Sequence, residues 1–173
     1  DAHSGYILSH ISVKLYNLIQ NHMFDLKVIH SVLDQLEEER GIPKAKIIEA
    51  IEMALATAYK KEFGRKDQFI RAHFDVATGK TEFFQIKVVV DPSQVVETKE
   101  ELPENPAEGE EKVLFNDERH ILIDTARLIK KGVQVGEEVV FDLEYKDDFG
   151  RIAAQTAKQV IIQKIREAEK TSV

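Results

Sequence analysis

The succession of hydrophobic periodicities along this chain predicts an α+β fold. Three observations carry that expectation: two helical patterns precede anything strand-like, a glycine-centred hairpin of period two follows them, and helices do not alternate strictly with strands as a doubly wound sheet would require. The expected order is two amino-terminal helices, an antiparallel hairpin-based sheet with further strands and a short helix, and a long carboxyl-terminal helix.

The first helix rests on Phe24, Val28, Ile29, Val32, Leu33 and Leu36, with Glu37, Glu38 and Glu39 after them and Gly41 as its terminator. Pro43 suits the first turn of the second helix, where a missing N–H costs nothing. Ile47, Ile48, Ile51, Ala54, Leu55 and Ala58 then form one apolar stripe that ends before Gly64. The period next changes to two. FIRAHFDV and EFFQIKVVV flank ATGKT, whose Gly79 can take the positive φ of a tight turn, so Ile70, Ala72 and Phe74 face one way and Arg71 and His73 the other. Further on, RHILI reads as a short strand, DTARLIKKG as a brief helix ended by Gly132, and VGEEVVFDLEY as another strand. DDFG turns the chain into the last helix, GRIAAQTAKQVIIQKIREAEK.

Composition narrows the chemistry. With 173 residues, 43% of them hydrophobic, the chain has enough apolar side chain for one ordinary domain. The absence of cysteine excludes disulfides, thiolate metal sites and cysteine nucleophiles, and fits a reducing, cytoplasmic setting. No apolar run approaches the ~18 to 20 residues of a membrane span, so a soluble protein is expected. A formal charge of −7 argues against a general nucleic-acid coat and requires any phosphate contact to be local. Residues 97–112, ETKEELPENPAEGEEK, concentrate glutamate around two prolines and read as a solvated acidic loop.

The organisation expected is an extension over 1–22, a head over 23–150 and a terminal helix over 151–173. Residues 1–22 precede a His22-Met23 dipeptide of the kind a cloning junction leaves, and are read as vector-derived. The alternative is a native amphipathic helix, because Ile7, Leu8, Ile11, Leu15, Leu18 and Ile19 recur at helical spacing. Setting that segment aside leaves His30, His73 and His120, and no histidine cluster.

Charge on the last helix is the main functional signal. At 100° per residue, Arg151, Gln155, Lys158, Ile162 and Arg166 fall within an arc of about 80°, opposite Ala153, Ala157, Val160, Ile161, Ile165 and Ala168. Arg151 and Lys158 are then roughly 10 Å apart along the axis, a span suited to two phosphates or to an acidic patch on a partner. A solvated helix face is the plainer reading of the same pattern. Elsewhere, Asp117, Glu118, His120 and Asp124 pass from strand into helix and need not converge on a metal. Asp142, Asp147 and Asp148 are explained by a turn and helix start, and neither a GxGxxG nor a P-loop is present.

FGRIAAQTAKQVIIQKIREAE, taken with IPKAKIIEAIEMALATAYKK, resembles the N-terminal domain of the bacterial transcription elongation, termination and antitermination factor NusA. The resemblance runs from Met23 to the end and is weakest between residues 91 and 117, where 97–112 looks longer and more acidic than the family segment. It implies a non-enzymatic head, without cofactor, joined through the long helix to OB-fold and KH RNA-binding domains that lie beyond this chain. The implied partners are RNA polymerase, at the flap of its β-subunit beside the RNA exit channel and at the carboxyl-terminal domain of its α-subunit, and the nascent RNA hairpin. Pausing and hairpin-dependent termination or antitermination follow. By resemblance Arg151, Lys158, Lys60 and Lys61 face RNA or the flap; Gln155 and Arg166 join them on helical geometry alone. Lys60 and Lys61 also sit where a helix dipole stabilises cations by ~0.3–1 kcal/mol each. Two other readings remain: a protein-only adaptor, and a small metal-dependent enzyme built on Asp117 to Asp124.

Overall fold

The computed structural model describes residues 26–145 and 148–171, so the reading of residues 1–22 and the positions of Phe24 and Asp147 lie outside the described residues. In chain order come α1 (Leu26–Arg40), α2 (Lys44–Phe63), β1 (Phe69–Phe74), β2 (Thr81–Val90), β3 (Val95–Val96), β4 (Val113–Leu114), β5 (His120–Leu122), α3 (Ile123–Ile129), β6 (Glu138–Leu143) and α4 (Phe149–Thr171). The fold is α+β, as the periodicities indicate.

The α1–α2 corner is built from short-range hydrogen bonds. Gly41 adopts φ 67°, a conformation that a side chain disfavours, and lets its own N–H reach the Glu37 carbonyl at 3.1 Å while Ile42 reaches Leu36 at 3.2 Å. Pro43 stands at the cap position, one residue outside the first turn that its sequence context suggests. The Glu37 carboxylate accepts the Lys44 backbone N–H at 2.6 Å, satisfying one of the donors that a helix start leaves unpaired, and Lys44 Nζ pairs with Asp34.

β2 is the central strand. It pairs antiparallel with β1 over Thr81–Ile86 and with β6 over Phe83–Val88, and parallel with β5 over Val88–Val90. Because Val88 meets both His120 and Glu138, β5 and β6 occupy opposite edges, and β5 continues the edge that β1 leaves. The sheet is therefore mixed, where the sequence suggests hairpin pairing. A parallel return needs a long connection, and residues 91–119 supply it. Within that connection Val95–Val96 pairs parallel with Val113–Leu114, closing the neck of the acidic loop. Between the two strands every side chain except the half-buried Leu102 is exposed.

Phe83 and Val89, six residues apart, face the same side of β2. Around Phe83, Ala72 and Phe74 gather Val32, Leu33 and Leu36 from α1, Ile47, Ile51, Leu55 and Tyr59 from α2, and Phe149, Ala157, Ile161 and Ile165 from α4. Around Val89 a smaller cluster of Ile121, Ile123, Ala126, Val133 and Val139 seats α3. A polar seam separates them. Buried Gln85 accepts from Gln68 at 3.2 Å and donates to the Glu118 carbonyl and carboxylate at 3.0 and 2.9 Å, so its polar atoms are satisfied.

Candidate nucleic-acid interface

The end of α2 and the start of α4 meet in a knot of five rings. Tyr59 stacks on Phe83 with centroids 4.5 Å apart, while Phe149 makes edge or tilted contacts with Tyr59, Phe63, Phe83 and Tyr145 at 5.4–5.9 Å. The Tyr59 hydroxyl donates to the Glu144 carbonyl at 2.6 Å, tying α2 to the end of β6. Burial, with the nearby Glu144 charge second, pushes its phenol above the ordinary value. At the opposite end of the layer Arg40 Nη2 pairs with the buried Glu169 at 3.0 Å, so α2 and α4 run antiparallel.

This arrangement brings Lys60 and Lys61, in the last turn of α2, to the same end of the helical layer as Arg151, two residues after Phe149. Gln155 follows one turn further along α4 and is exposed, as are Arg151 and Lys61; Lys60 is half-buried. Lys158 departs from the expected rail. It is half-buried, because the actual buried stripe, centred on Ala157, Ile161, Ala168 and Ile165, is rotated toward it, and its stem lies at the edge of that stripe. Ile162, projected onto the cation side, packs against the core for the same reason. The outward line of α4 is neutral over its first turns, through Ile152, Gln155, Gln159 and Gln163, and becomes basic further on at Arg166 and Lys170. Arg166 is exposed but lies about 22 Å along the axis from Arg151. It is flanked there by Glu167, which accepts from Lys164 at 3.2 Å.

Among the described residues, Lys60, Lys61, Lys66, Arg151, Lys158 and Arg166 pair with no carboxylate, as is also true of the exposed Lys99, Lys112, Arg127, Lys131 and Lys170, whereas Arg40, Arg65, Arg71, Arg119 and Lys164 do pair; what distinguishes the α2–α4 junction is that several unpaired cations gather there. Positive charge at the α2–α4 junction is thus without ion-pair partners on a chain of formal charge −7, although Glu62 and Asp148 lie beside it in sequence. Arg65, Lys66 and Phe63 extend this patch and escape a reading by periodicity. The run KKEFGRK, with its cations on either side of an aromatic, is the signal that could have found them. Arg65 is partly spent on Glu118, at 2.8 Å.

The carboxylates considered for a metal are occupied elsewhere. Glu118 serves Arg65 and Gln85, Asp117 projects into solvent near Lys87, Asp124 is exposed in the first turn of α3, and His120 Nδ1 accepts the Asn116 N–H at 3.0 Å. Burial, then the Arg119 charge, holds the His120 imidazole below its ordinary pKa, which keeps that nitrogen an acceptor. Among the described residues no three His, Asp or Glu side chains are placed to share an ion.

Fold and surface together define the class: an α+β domain that exposes unpartnered cations where its second helix meets a long terminal one. A family model described as the NusA N-terminal domain matches residues 29–171, and the chain belongs to that family. It is 39% identical over 135 residues to the transcription termination/antitermination protein NusA of Bacillus subtilis (strain 168), covering 78% of this chain. It is 37% identical over 138 residues to the protein of the same description from Halalkalibacterium halodurans, covering 80%. The chain spans about 30% of the length of each of these relatives. Among solved structures it is similar to the solution structure of the N-terminal domain of NusA from B. subtilis, at 38% identity and TM-score 0.56, covering 81% of this chain and 94% of that one.

Proposed function

We propose that this chain is the head of a transcription termination/antitermination factor that binds RNA polymerase beside the RNA exit channel and touches the emerging RNA hairpin through the α2–α4 junction. The observation that carries this reading is the set of cations, Lys60, Lys61 and Arg151, gathered at one end of the helical layer without carboxylate partners. Cations that no carboxylate neutralises are available to phosphates. The polymerase contacts in this reading are the β-flap and the carboxyl-terminal domain of the α-subunit, and the consequence is a longer hairpin-dependent pause. Lys158 and Arg166 are peripheral members of the surface, and Gln155 supplies a neutral hydrogen-bonding position beside Arg151.

A protein-only adaptor is favoured by one feature, the neutral first turns of the outward line of α4, since charge is depleted at the centre of protein interfaces. A photocrosslinker at Gln155 in a stalled transcription complex separates the readings: adducts to RNA support the first, adducts to polymerase alone support the second. The functional test is pause lifetime in a purified elongation complex. Arg151→Ala with Lys158→Ala in the full-length factor shortens the hairpin-dependent pause; an unchanged lifetime contradicts the proposed face.

A further inference from the structure

We propose that the Phe63 ring is a stacking platform for one unpaired nucleobase, with the cations around it holding the adjoining phosphates; this deepens the RNA contact proposed above and rests on it. Phe63 closes α2 and is 46% exposed, although it belongs to the aromatic knot. Tyr59 holds it at a centroid distance of 5.3 Å and 56°, and Phe149 at 5.4 Å and 66°. The first contact is tilted and the second edge-on, so neither neighbour lies parallel over the ring, yet together they fix its position before any ligand arrives. A base that stacks there does not have to order the side chain first.

The surroundings select the ligand. Lys60 is the i−3 neighbour of Phe63 on the helix, Lys61 lies on the same turn, and Lys66 follows in the Arg65–Gln68 turn. Arg151 begins its helix beside Phe149. A protein hot spot would place such a ring within an apolar patch, but the sequence neighbours here are Lys60, Lys61, Glu62, Gly64, Arg65 and Lys66. A half-exposed ring at the edge of an aromatic cluster, with cations among its chain neighbours, is instead the pattern of single-stranded nucleic-acid binding, where stacking is tolerant of base identity and the backbone is tracked by charge. Phe69 offers a contrast. It is equally exposed, but the Arg119 guanidinium lies 4.7 Å from its centroid and takes that face. In a paired A-form stem the base faces are hidden in the stack. Phe63 can therefore engage only a loop or flanking nucleotide of a hairpin, while the cations meet either form.

The test uses the 173-residue chain and two RNA probes carrying 2-aminopurine: a hairpin with the fluorophore in its unpaired 3′ flank, and a blunt, fully paired duplex of similar length. Phe63→Leu keeps an apolar side chain at the helix end and removes the π face; Phe63→Trp keeps it. On the unpaired probe, Phe63→Leu weakens binding about tenfold and abolishes fluorophore quenching. It leaves the duplex affinity unchanged, and Phe63→Trp binds at least as well as wild type. Equal affinities of Phe63→Leu and wild type for the unpaired probe overturn the proposal. So does an equal loss on both probes, which marks a purely structural ring, or a loss confined to polymerase binding without RNA, which marks a protein contact. If the wild-type chain shows no RNA binding that Lys60→Ala with Lys61→Ala lowers, the RNA reading itself falls; if it does and Phe63→Leu is silent, only the platform falls.

Discussion

Phe149→Leu is the most informative change to the fold, because one fully buried ring joins α4 to every element that positions the junction. Phe149 is 1% exposed and contacts the rings of Tyr59, Phe63, Phe83 and Tyr145. An aromatic pair contributes ~0.5–1.5 kcal/mol beyond the area it buries, and the pairs are not additive. Leucine restores part of the packing but none of the edge contacts, so a net loss of about 2 kcal/mol is expected, against the roughly 3–5 kcal/mol typical of Phe→Ala. With an m-value of about 2 kcal/mol/M, the urea midpoint followed by far-UV circular dichroism falls by about 1 M. Hydrogen exchange adds the location: amides of the first turns of α4 lose protection, while those at the start of α2, where Lys46 and Ile47 donate to the Pro43 carbonyl, keep it. An unchanged midpoint, or a uniform loss of protection, refutes the assignment of the ring knot as the anchor of α4.

The remaining predictions concern the polar seam and the acidic loop. His120 is depressed below its ordinary value of 6.5, so at neutral pH it is uncharged whether folded or unfolded; as pH falls through 6.5 the unfolded chain binds the proton first and stability declines until the folded value is reached. Asn at this position offers an acceptor to Asn116 without titrating. His120→Asn should therefore flatten the urea-midpoint profile between about pH 7.5 and 5 relative to wild type. Glu118→Ala removes the acceptor of Arg65 and one partner of buried Gln85, and should cost about 1 kcal/mol in a urea titration, whereas Arg65→Ala, at a 70% exposed side chain, should cost less than half of that. Replacing Glu104, Glu108, Glu110 and Glu111 by Gln touches only exposed side chains and should leave the midpoint within about 0.5 kcal/mol of wild type, while hairpin RNA binds more tightly at low salt as repulsion falls.

What can be read from the sequence follows from how local each signal is. The stripes of α1 and α2, the Gly79 turn and the alternation of Ile70, Ala72 and Phe74 are set by neighbours a few residues away, and each appears in the structure. The parallel pairing of Val88–Val90 with His120–Leu122 depends on a connection with no periodicity of its own, and two-residue strands such as Val95–Val96 carry too little pattern to register. The surface shows the same division. Resemblance singles out Lys60, Lys61 and Arg151, but their meeting depends on Phe63 touching Phe149 across 86 positions of sequence. An ideal helical wheel projects Lys158 outward, whereas the partners that bury Ile161 and Ile165 decide which way α4 is turned. Phe63 reads as an ordinary core aromatic until the packing of α4 leaves almost half of it in solvent.

The central claim is that cations left without carboxylate partners at the α2–α4 junction are used on RNA. Binding of a hairpin RNA by the chain, measured from low to physiological salt, tests it most directly against the variant carrying Lys60→Ala, Lys61→Ala and Arg151→Ala. If each cation meets a phosphate, the slope of log K against log salt becomes shallower by about 2 to 3, at ~0.7–0.9 per contact. An identical slope in the two proteins contradicts the account.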